Sequence, residues 1–193
     1  MYALVESGTI TKYFNNPRGF MLGDVQYSSD IFMKWSVEEK TAIGIHEVIF
    51  DDSNRKDGQW YINTNQTFVF ANNIVTASYG TATPIAHADV TETINGVEST
   101  TLGLKTNLIK DLKSNVANEL AKTDWYITRK TEKSTAIPSA ISTHRDLVRS
   151  RQVSIEAQII GAADTAALET LHTYTTTDGV QSRPLGELPV LES

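Results

Sequence analysis

The feature that most constrains the fold is a helical apolar repeat that begins near Leu102. Its apolar residues recur at spacings of seven, three, four and four, which places them on one face of an α-helix. They are Leu102, Ile109, Leu112, Val116 and Leu120. Charged and amide side chains fall mostly on the opposite side, and Thr100 or Thr101 is a candidate for the cap. The repeat predicts one long amphipathic helix.

A second helix is predicted after Pro138, because proline suits a first helical turn, where its missing N–H has no partner anyway. Apolar residues again recur at helical spacings: Ile141, Val148, Ile155 and Ile159. Gly161 is expected to end the helix, since glycine tolerates the left-handed conformation common at helix ends. Together the two segments predict a helical hairpin.

The connector Thr123–Lys130 carries Trp125, Tyr126 and Ile127. We expect an ordered loop whose aromatic side chains pack back under the helix ends, with a ligand-binding platform as the less favoured alternative. Nearby charged residues are expected to form a solvated ion-pair network of little individual stability. They are Arg129, Lys130, Glu132 and Arg145.

The N-terminal part of the chain has short runs of β-branched and aromatic residues separated by turn residues, which is typical of strands. Residues 2–6 and 9–14 predict a β-hairpin around Ser7-Gly8, and residues 67–71 and 74–79 predict another around Asn72-Asn73. Further strands are expected at 45–50 and 59–63. Ser36 and Glu39 have the spacing of a capping box, which predicts a short helix over residues 37–43.

These predictions add up to an α+β fold in which strands dominate first and helices later. We expect a β-rich domain over residues 1–85 and a polar linker or extended arm over 86–101. A helical hairpin domain would span 102–172, with Asp164 capping a short third helix. Residues 173–193, which contain Thr, Gly and Pro, are expected to be an extended tail.

The net charge of −6 is unevenly distributed along the 193 residues. Residues 1–100 hold 6 Lys/Arg and 12 Asp/Glu, whereas residues 105–151 hold 10 basic and 5 acidic residues. An acidic first half and a basic hairpin could attract each other within one subunit or between subunits. Acidic residues are interspersed in the basic region, so we expect a solvated helix face and no nucleic-acid binding.

The chain has no cysteine, which excludes disulfides and thiolate chemistry. Its first residues lack a basic start and an apolar run, so no signal peptide is expected. No apolar stretch approaches the roughly 20 residues of a membrane span, so we expect a soluble protein without membrane insertion.

No motif for catalysis or for binding a metal or cofactor is found. The four histidines, His46, His87, His144 and His172, stand singly, and we expect surface or strand positions for them. The loop 51–58 contains carboxylates and a glycine but lacks the order of a calcium loop, so we interpret it as a polar hairpin loop. No nucleophile elbow, phosphate loop or dinucleotide fingerprint is present. We therefore predict that the chain is not an enzyme and has no catalytic, metal or cofactor site.

One segment resembles a known module. Leu120-Ala-Lys-Thr-Asp-Trp-Tyr-Ile-Thr-Arg-Lys-Thr-Glu-Lys-Ser-Thr-Ala-Ile-Pro138, followed by His144-Arg-Asp-Leu-Val-Arg149, is similar to a module of tailed-bacteriophage proteins. In that module a helix ends in Thr-Asp-Trp, a variable loop leads to a proline, and a second helix carries an aromatic-Arg-x-x-x-Arg pattern. His144 stands where a tyrosine is expected. The module occurs in tail-fibre or baseplate proteins and in small tail-assembly chaperones, and the opening Tyr2–Gly8 hairpin also resembles phage tail-associated proteins.

The resemblance implies structural and interface roles for Asp124, Trp125, Arg145 and Arg149, and we assign the same role to Tyr126 and Arg129 within that segment. It implies a structural component of the phage virion, located in the tail and made in the cytoplasm of the host bacterium. This component would be a baseplate, tail-tip or fibre-attachment protein that assembles with other tail proteins. Because tails have threefold and sixfold symmetry, a homotrimer is expected.

Two alternatives stay open. The first is a tail or tail-fibre assembly chaperone that is not retained in the virion. The second is a module that binds host-surface glycans through Trp35, Trp60 or Trp125, although three tryptophans are more simply explained as core residues.

Overall fold

A computed structural model describes residues 1–191 as two compact units, one spanning Met1–Thr83 and the other beginning at Pro84. The fold is α+β: strands dominate the first unit and helices the second. The elements of the first unit, in chain order, are β1 (Tyr2–Glu6), β2 (Thr9–Phe14), β3 (Phe20–Leu22), β4 (Val25–Tyr27), α1 (Ile31–Lys34), α2 (Val37–Ala42), β5 (Ile45–Asp51), β6 (Tyr61–Ile62), β7 (Thr67–Ala71) and β8 (Ile74–Ser78).

Five of these strands form one sheet in the order β2-β1-β5-β8-β7. The β5–β8 pair is parallel and the other pairs are antiparallel. The sheet curls until its edge strands meet, since the rings of Tyr13 in β2 and Phe68 in β7 lie 4.7 Å apart. Strand β1 is buried on both faces: Leu4 packs into one apolar cluster, and Ala3 and Val5 pack into another. Successive side chains of a strand point to opposite faces, so one central strand supports two cores.

The predicted hairpins of this unit and its capping box are confirmed, but the strand predicted at 59–63 is shorter, and the loop 51–58 is not a hairpin loop because β5 and β6 belong to different sheets. Ser36 accepts a hydrogen bond from the amide of Glu39, whose carboxylate accepts one from the amide of Ser36, so the predicted capping box forms. Asn72 and Asn73 form the predicted turn, both with positive φ. Gly44 follows α2 with φ +79°, and a Cβ there would lie 2.4 Å from the carbonyl oxygen of Val5. Only glycine fits there without a shift of the backbone.

The chain passes into the second unit at β9 (Thr83–Pro84). The elements that follow are β10 (Val90–Ile94), β11 (Val97–Thr101), α3 (Leu104–Ala121), α4 (Asp124–Lys133), α5 (Ser139–Gly161), α6 (Thr165–His172), β12 (Thr175–Thr177) and β13 (Val180–Ser182).

The predicted helical hairpin is formed by α3 and α5, which run antiparallel. Lys105 at the start of α3 donates to the carbonyl of Ile160 at the end of α5, and Glu119 at the end of α3 contacts His144 near the start of α5. The predicted apolar faces meet in the core, with these side chains buried: Leu112, Val116, Ile141, Val148, Ile155 and Ile159. Asp164 caps α6 as predicted, accepting from the amide of Ala167 at 2.8 Å.

The segment predicted as a polar linker or extended arm, residues 86–101, is structured. Strands β10 and β11 form a hairpin around Asn95-Gly96, whose φ values of 52° and 79° match a tight two-residue turn. Thr100 or Thr101 was predicted to cap α3, but the residues before the hairpin do so. The carbonyls of Ala86 and His87 accept from the amides of Leu104 and Lys105, and the carboxylate of Asp89 accepts from the amide of Gly103. This polar composition suits a solvated hairpin as well as a linker.

The predicted extended tail is also structured over the residues that the structure describes. Strands β12 and β13 form a second hairpin around Asp178-Gly179, and Leu185 beyond it is buried. Arg151 of α5 donates to the carbonyls of Leu185 at 2.6 Å and Glu187 at 3.1 Å, which fixes this segment. Residues 192–193 lie outside the described part.

The predicted loop between the two long helices is a helix, α4, and its aromatic residues do not pack under the helix ends. No proline or glycine interrupts residues 124–133, and Ser134 ends the helix in a left-handed conformation with φ 54°. Gly161 is the last residue of α5, but the helix ends in an extended Ala162 without a left-handed glycine.

Candidate interaction site

The guanidinium of Arg145 is buried where α3, α4 and α5 meet. Its Nη1 donates to the carbonyl oxygen of Leu120 at 2.8 Å and to Oγ1 of Thr123 at 2.6 Å, and lies 2.9 Å from Oδ1 of Asp124. Leu120 belongs to the last turn of α3, and its carbonyl also accepts from the amide of Thr123 at 3.1 Å. One side chain of α5 therefore joins the end of α3 to the start of α4.

Thr123 completes this junction and is 1% exposed. Its hydroxyl donates to the carbonyl of Leu120 at 3.0 Å while accepting from Arg145, and its own carbonyl accepts from the amide of Tyr126. A buried hydroxyl with both roles satisfied stabilises the connection between α3 and α4. We call Thr123, Asp124 and Arg145 the junction residues.

A second polar contact joins the residues that directly precede Leu120 and Arg145 in the chain. Oε1 of the buried Glu119 is 3.2 Å from Nε2 of the buried His144, and Lys122 binds the other carboxylate oxygen. The hydrogen bond from Lys122 lowers the pKa of Glu119 most, and His144 lowers it further, against the opposing effect of burial. The carboxylate thus stays ionised between α3 and α5.

Helix α4 begins at these contacts and has no buried residue. Ten residues are too few for a stable helix in water by propensity alone, so its position depends on the junction residues. Trp125 is 52% exposed. The guanidinium carbon of Arg129 lies 4.6 Å from the ring centre of Trp125 and 5.1 Å from that of Tyr126. These distances are typical of cation–π contacts, which hold the three side chains together at the surface.

The basic and aromatic residues of α4 share one side of the helix. Trp125, Arg129 and Lys133 follow at intervals of four, as do Tyr126 and Lys130. At 3.6 residues per turn, these five lie within roughly 140° of the helix circumference. Asp124 and Glu132 lie outside that arc. We call the five residues the α4 face. It contains Trp, Tyr and Arg, three residue types that are enriched in protein–protein interfaces.

A groove of about 510 Å³ lies elsewhere in the second unit, between the helical hairpin and the C-terminal segment. Leu112, Ile155 and Leu185 contribute to its apolar floor. Tyr174 and Arg183 both bind Glu187 at its rim. Burial tends to raise the pKa of Glu187, but the hydrogen bonds from Tyr174 and Arg183 outweigh it, so the pKa of Glu187 is lowered.

Comparison of the chain with protein-family models, with curated proteins and with solved structures gave no match. Within residues 1–191, no helix is both long enough and apolar enough to cross a membrane. Nor does that part of the chain bring three or more His, Asp or Glu side chains together in a way that could hold a metal ion.

The structure brings most of the predicted interface residues together. Asp124 and Arg145 form an ion pair, and Trp125, Tyr126 and Arg129 form the adjacent cation–π cluster. Arg149 joins neither group. It is exposed on α5 and lies 3.4 Å from Asp146.

The predicted solvated network around Arg145 is wrong. Arg145 is 6% exposed, and its charged partner is Asp124, with neither Lys130 nor Glu132 taking part. Helical spacing explains the difference: Arg145 lies four residues after Ile141, so it shares the buried side of α5. For the glycan alternative, Trp60 is buried and cannot present a stacking surface.

Sequence reasoning assigned no role to Glu119, Thr123 or His144. The signal for His144 was available, because it lies three residues after Ile141 and four before Val148 on the apolar side of α5. A polar residue in an apolar stripe predicts a buried partner. The prediction of a surface or strand position for His144 is therefore wrong, whereas His46 lies in strand β5 as expected.

Proposed function

We propose that the chain is a structural component of a tailed-phage virion, a baseplate, tail-tip or fibre-attachment protein that acts through protein–protein assembly. The observation that carries the proposal is the α4 face, a surface of aromatic and basic side chains fixed in place by a buried arginine. The resemblance of residues 120–149 to a tailed-phage module supplies the context of a phage tail.

The geometry of the junction supports a binding role. Trp and Arg dominate the energetics of many interfaces, and the exposed Trp125 with its stacked Arg129 places both residue types on one surface. The anchoring contacts are buried and the α4 face is exposed. This arrangement pre-organises α4, which lowers the entropy cost of docking.

The partners in this proposal are other copies of the chain and neighbouring tail proteins. A homotrimer suits the threefold and sixfold symmetry of tails. The alternative that uses the same surface is a tail or tail-fibre assembly chaperone, which would bind its client through the α4 face and then leave. An exposed helix without buried residues suits transient as well as permanent contacts.

The virion component and the chaperone can be distinguished by quantitative mass spectrometry of gradient-purified particles of the phage that encodes this chain. A structural component is expected at a fixed copy number, divisible by three if the homotrimer is correct. Abundance in the infected-cell lysate together with absence from the particles would refute the virion proposal and favour the chaperone.

A further inference from the structure

Besides the α4 face, the second unit has another unpartnered surface, the β10–β11 hairpin. Every residue of its two strands is exposed, so neither face packs against the rest of the chain. An isolated two-stranded hairpin is marginally stable in water and gains stability when one face is covered. A partner that bound to this surface would therefore also stabilise the hairpin.

The two faces of the hairpin differ in chemistry. Residues directly opposite each other share a face, so the pairs Val90–Thr101, Glu92–Ser99 and Ile94–Val97 lie on one side. This side, the aliphatic–acidic face, has three apolar side chains that are 41%, 58% and 68% exposed. The other side is polar, with Glu98 and a hydrogen bond of 2.8 Å between the hydroxyls of Thr91 and Thr100.

The hairpin and the α4 face are complementary in charge. The aliphatic–acidic face contains Glu92 and no Lys or Arg, whereas the α4 face contains Arg129, Lys130 and Lys133 and no carboxylate. Within the part of the chain that the structure describes, no ion pair involves Glu92, Lys130 or Lys133. Each surface offers the charge and the apolar area that the other needs.

We propose that the α4 face of one copy of the chain docks on the aliphatic–acidic face of the β10–β11 hairpin in a second copy. Trp125 would pack on Val90, Ile94 and Val97, and Lys130 or Lys133 would pair with Glu92. Because two different surfaces meet, the contact is heterologous, and repeating it produces a closed ring when the rotation between copies allows closure. The inference rests on the assembly role proposed above, and it identifies a second copy of the chain as a partner in that assembly.

The test is sedimentation velocity of the purified full-length protein over a range of micromolar concentrations, with circular dichroism to show that each variant is folded. The wild type is expected to self-associate, and more weakly as the salt concentration rises. Trp125→Ala should weaken association about thirtyfold or more, and Trp125→Phe, which keeps a ring, should weaken it less.

Charge reversals provide matched controls. Glu92→Lys and Lys133→Glu should each weaken association about threefold to tenfold. Glu98→Lys on the polar side of the hairpin and Lys110→Glu on the exposed side of α3 make the same charge changes and should leave association unchanged. Combining Glu92→Lys with Lys133→Glu restores opposite charges at every contact and should recover much of the lost association.

A wild type that stays monomeric at every concentration would overturn the inference, as would variants that weaken association no more than their controls. Neither result bears on incorporation into particles, which is measured separately. A self-associating protein that is absent from particles would instead refute the proposed virion role.

Discussion

The carboxylate of Asp124 and the guanidinium of Arg145 lie 2.9 Å apart, yet the Asp124 side chain is 61% exposed and that of Arg145 only 8%. The two residues therefore contribute differently. Arg145 is a buried charge that needs its acceptors, whereas Asp124 adds a solvent-screened attraction and a negative charge at the N-terminus of α4. The junction depends on the arginine far more than on the aspartate.

Replacing Arg145 by methionine is expected to destabilise the second unit by about 2–3 kcal/mol, because the Leu120 carbonyl and the Thr123 hydroxyl lose a charged donor in a buried site. Asp124→Asn is expected to cost less than about 1 kcal/mol, since an exposed partner contributes little. Urea denaturation followed by circular dichroism at a helical wavelength measures both. Equal losses in the two variants would contradict the asymmetry.

Thr123→Val keeps the shape of the side chain but removes the hydroxyl that donates to Leu120 and accepts from Arg145. We expect a loss of about 1–3 kcal/mol, whereas Thr123→Ser, which keeps the hydroxyl, should lose less. Thr128→Val on the exposed surface of α4 serves as the matched control and should be nearly neutral. A neutral Thr123→Val would show that the junction does not use the hydroxyl.

Glu119 makes the stability of the helical hairpin sensitive to acid. Its folded-state pKa is lowered by Lys122 and His144 below the ordinary value of 4.5. The stabilisation is therefore complete above that pH and is lost as the pH falls toward the lowered pKa. Denaturation midpoints measured through this range should fall more steeply for the wild type than for Glu119→Gln. Glu132→Gln, which makes the same change on exposed α4, should follow the wild type, and parallel curves for wild type and Glu119→Gln would refute the assignment.

Arg151 is expected to hold the C-terminal segment on α5 through the carbonyls of Leu185 and Glu187. Arg151→Ala should raise amide hydrogen exchange at Leu185 and Gly186 while leaving exchange in the centre of α5 nearly unchanged. The amide of Leu185 is a suitable probe because it donates to the carbonyl of Leu171 at 3.0 Å. Unchanged exchange at both positions would show that other contacts fix the segment.

The sequence predicts those parts of the fold where period, cap and turn agree. In α5 the apolar spacing identified residues that are buried, and in α3 it identified the buried Leu112 and Val116, whereas Leu102 lies before α3 and is exposed. The capping residues Ser36 and Asp164 form the bonds that their positions indicated. These signals are local, so they can be recognised without knowledge of the tertiary structure.

The two solvated hairpins were missed because their strands are polar on one or both sides. Strand prediction depends on alternation between apolar and polar residues, and β12–β13 has only threonine, glutamine, serine and Val180. The turn dipeptides Asn95-Gly96 and Asp178-Gly179 were the available signal. Helix α4 was missed because its aromatic residues suggested burial, whereas the structure exposes Trp125.

The candidate site was only partly predictable. The resemblance to the tailed-phage module indicated Asp124, Trp125 and Arg145. The burial of Arg145 and the role of Thr123, however, depend on how α3, α4 and α5 meet. No sequence spacing encodes that meeting point directly, because its contacts join residues more than twenty positions apart.

We propose that this chain makes protein contacts in the virion through the α4 face. The most direct measurement places a photo-crosslinking amino acid at position 125, or at the exposed position 153 of α5 as a control, and irradiates purified particles. We expect crosslinks from position 125 to another copy of the chain or to a neighbouring tail protein, and few from position 153. Particles that contain the chain but give no more crosslinks at 125 than at 153 would contradict the account.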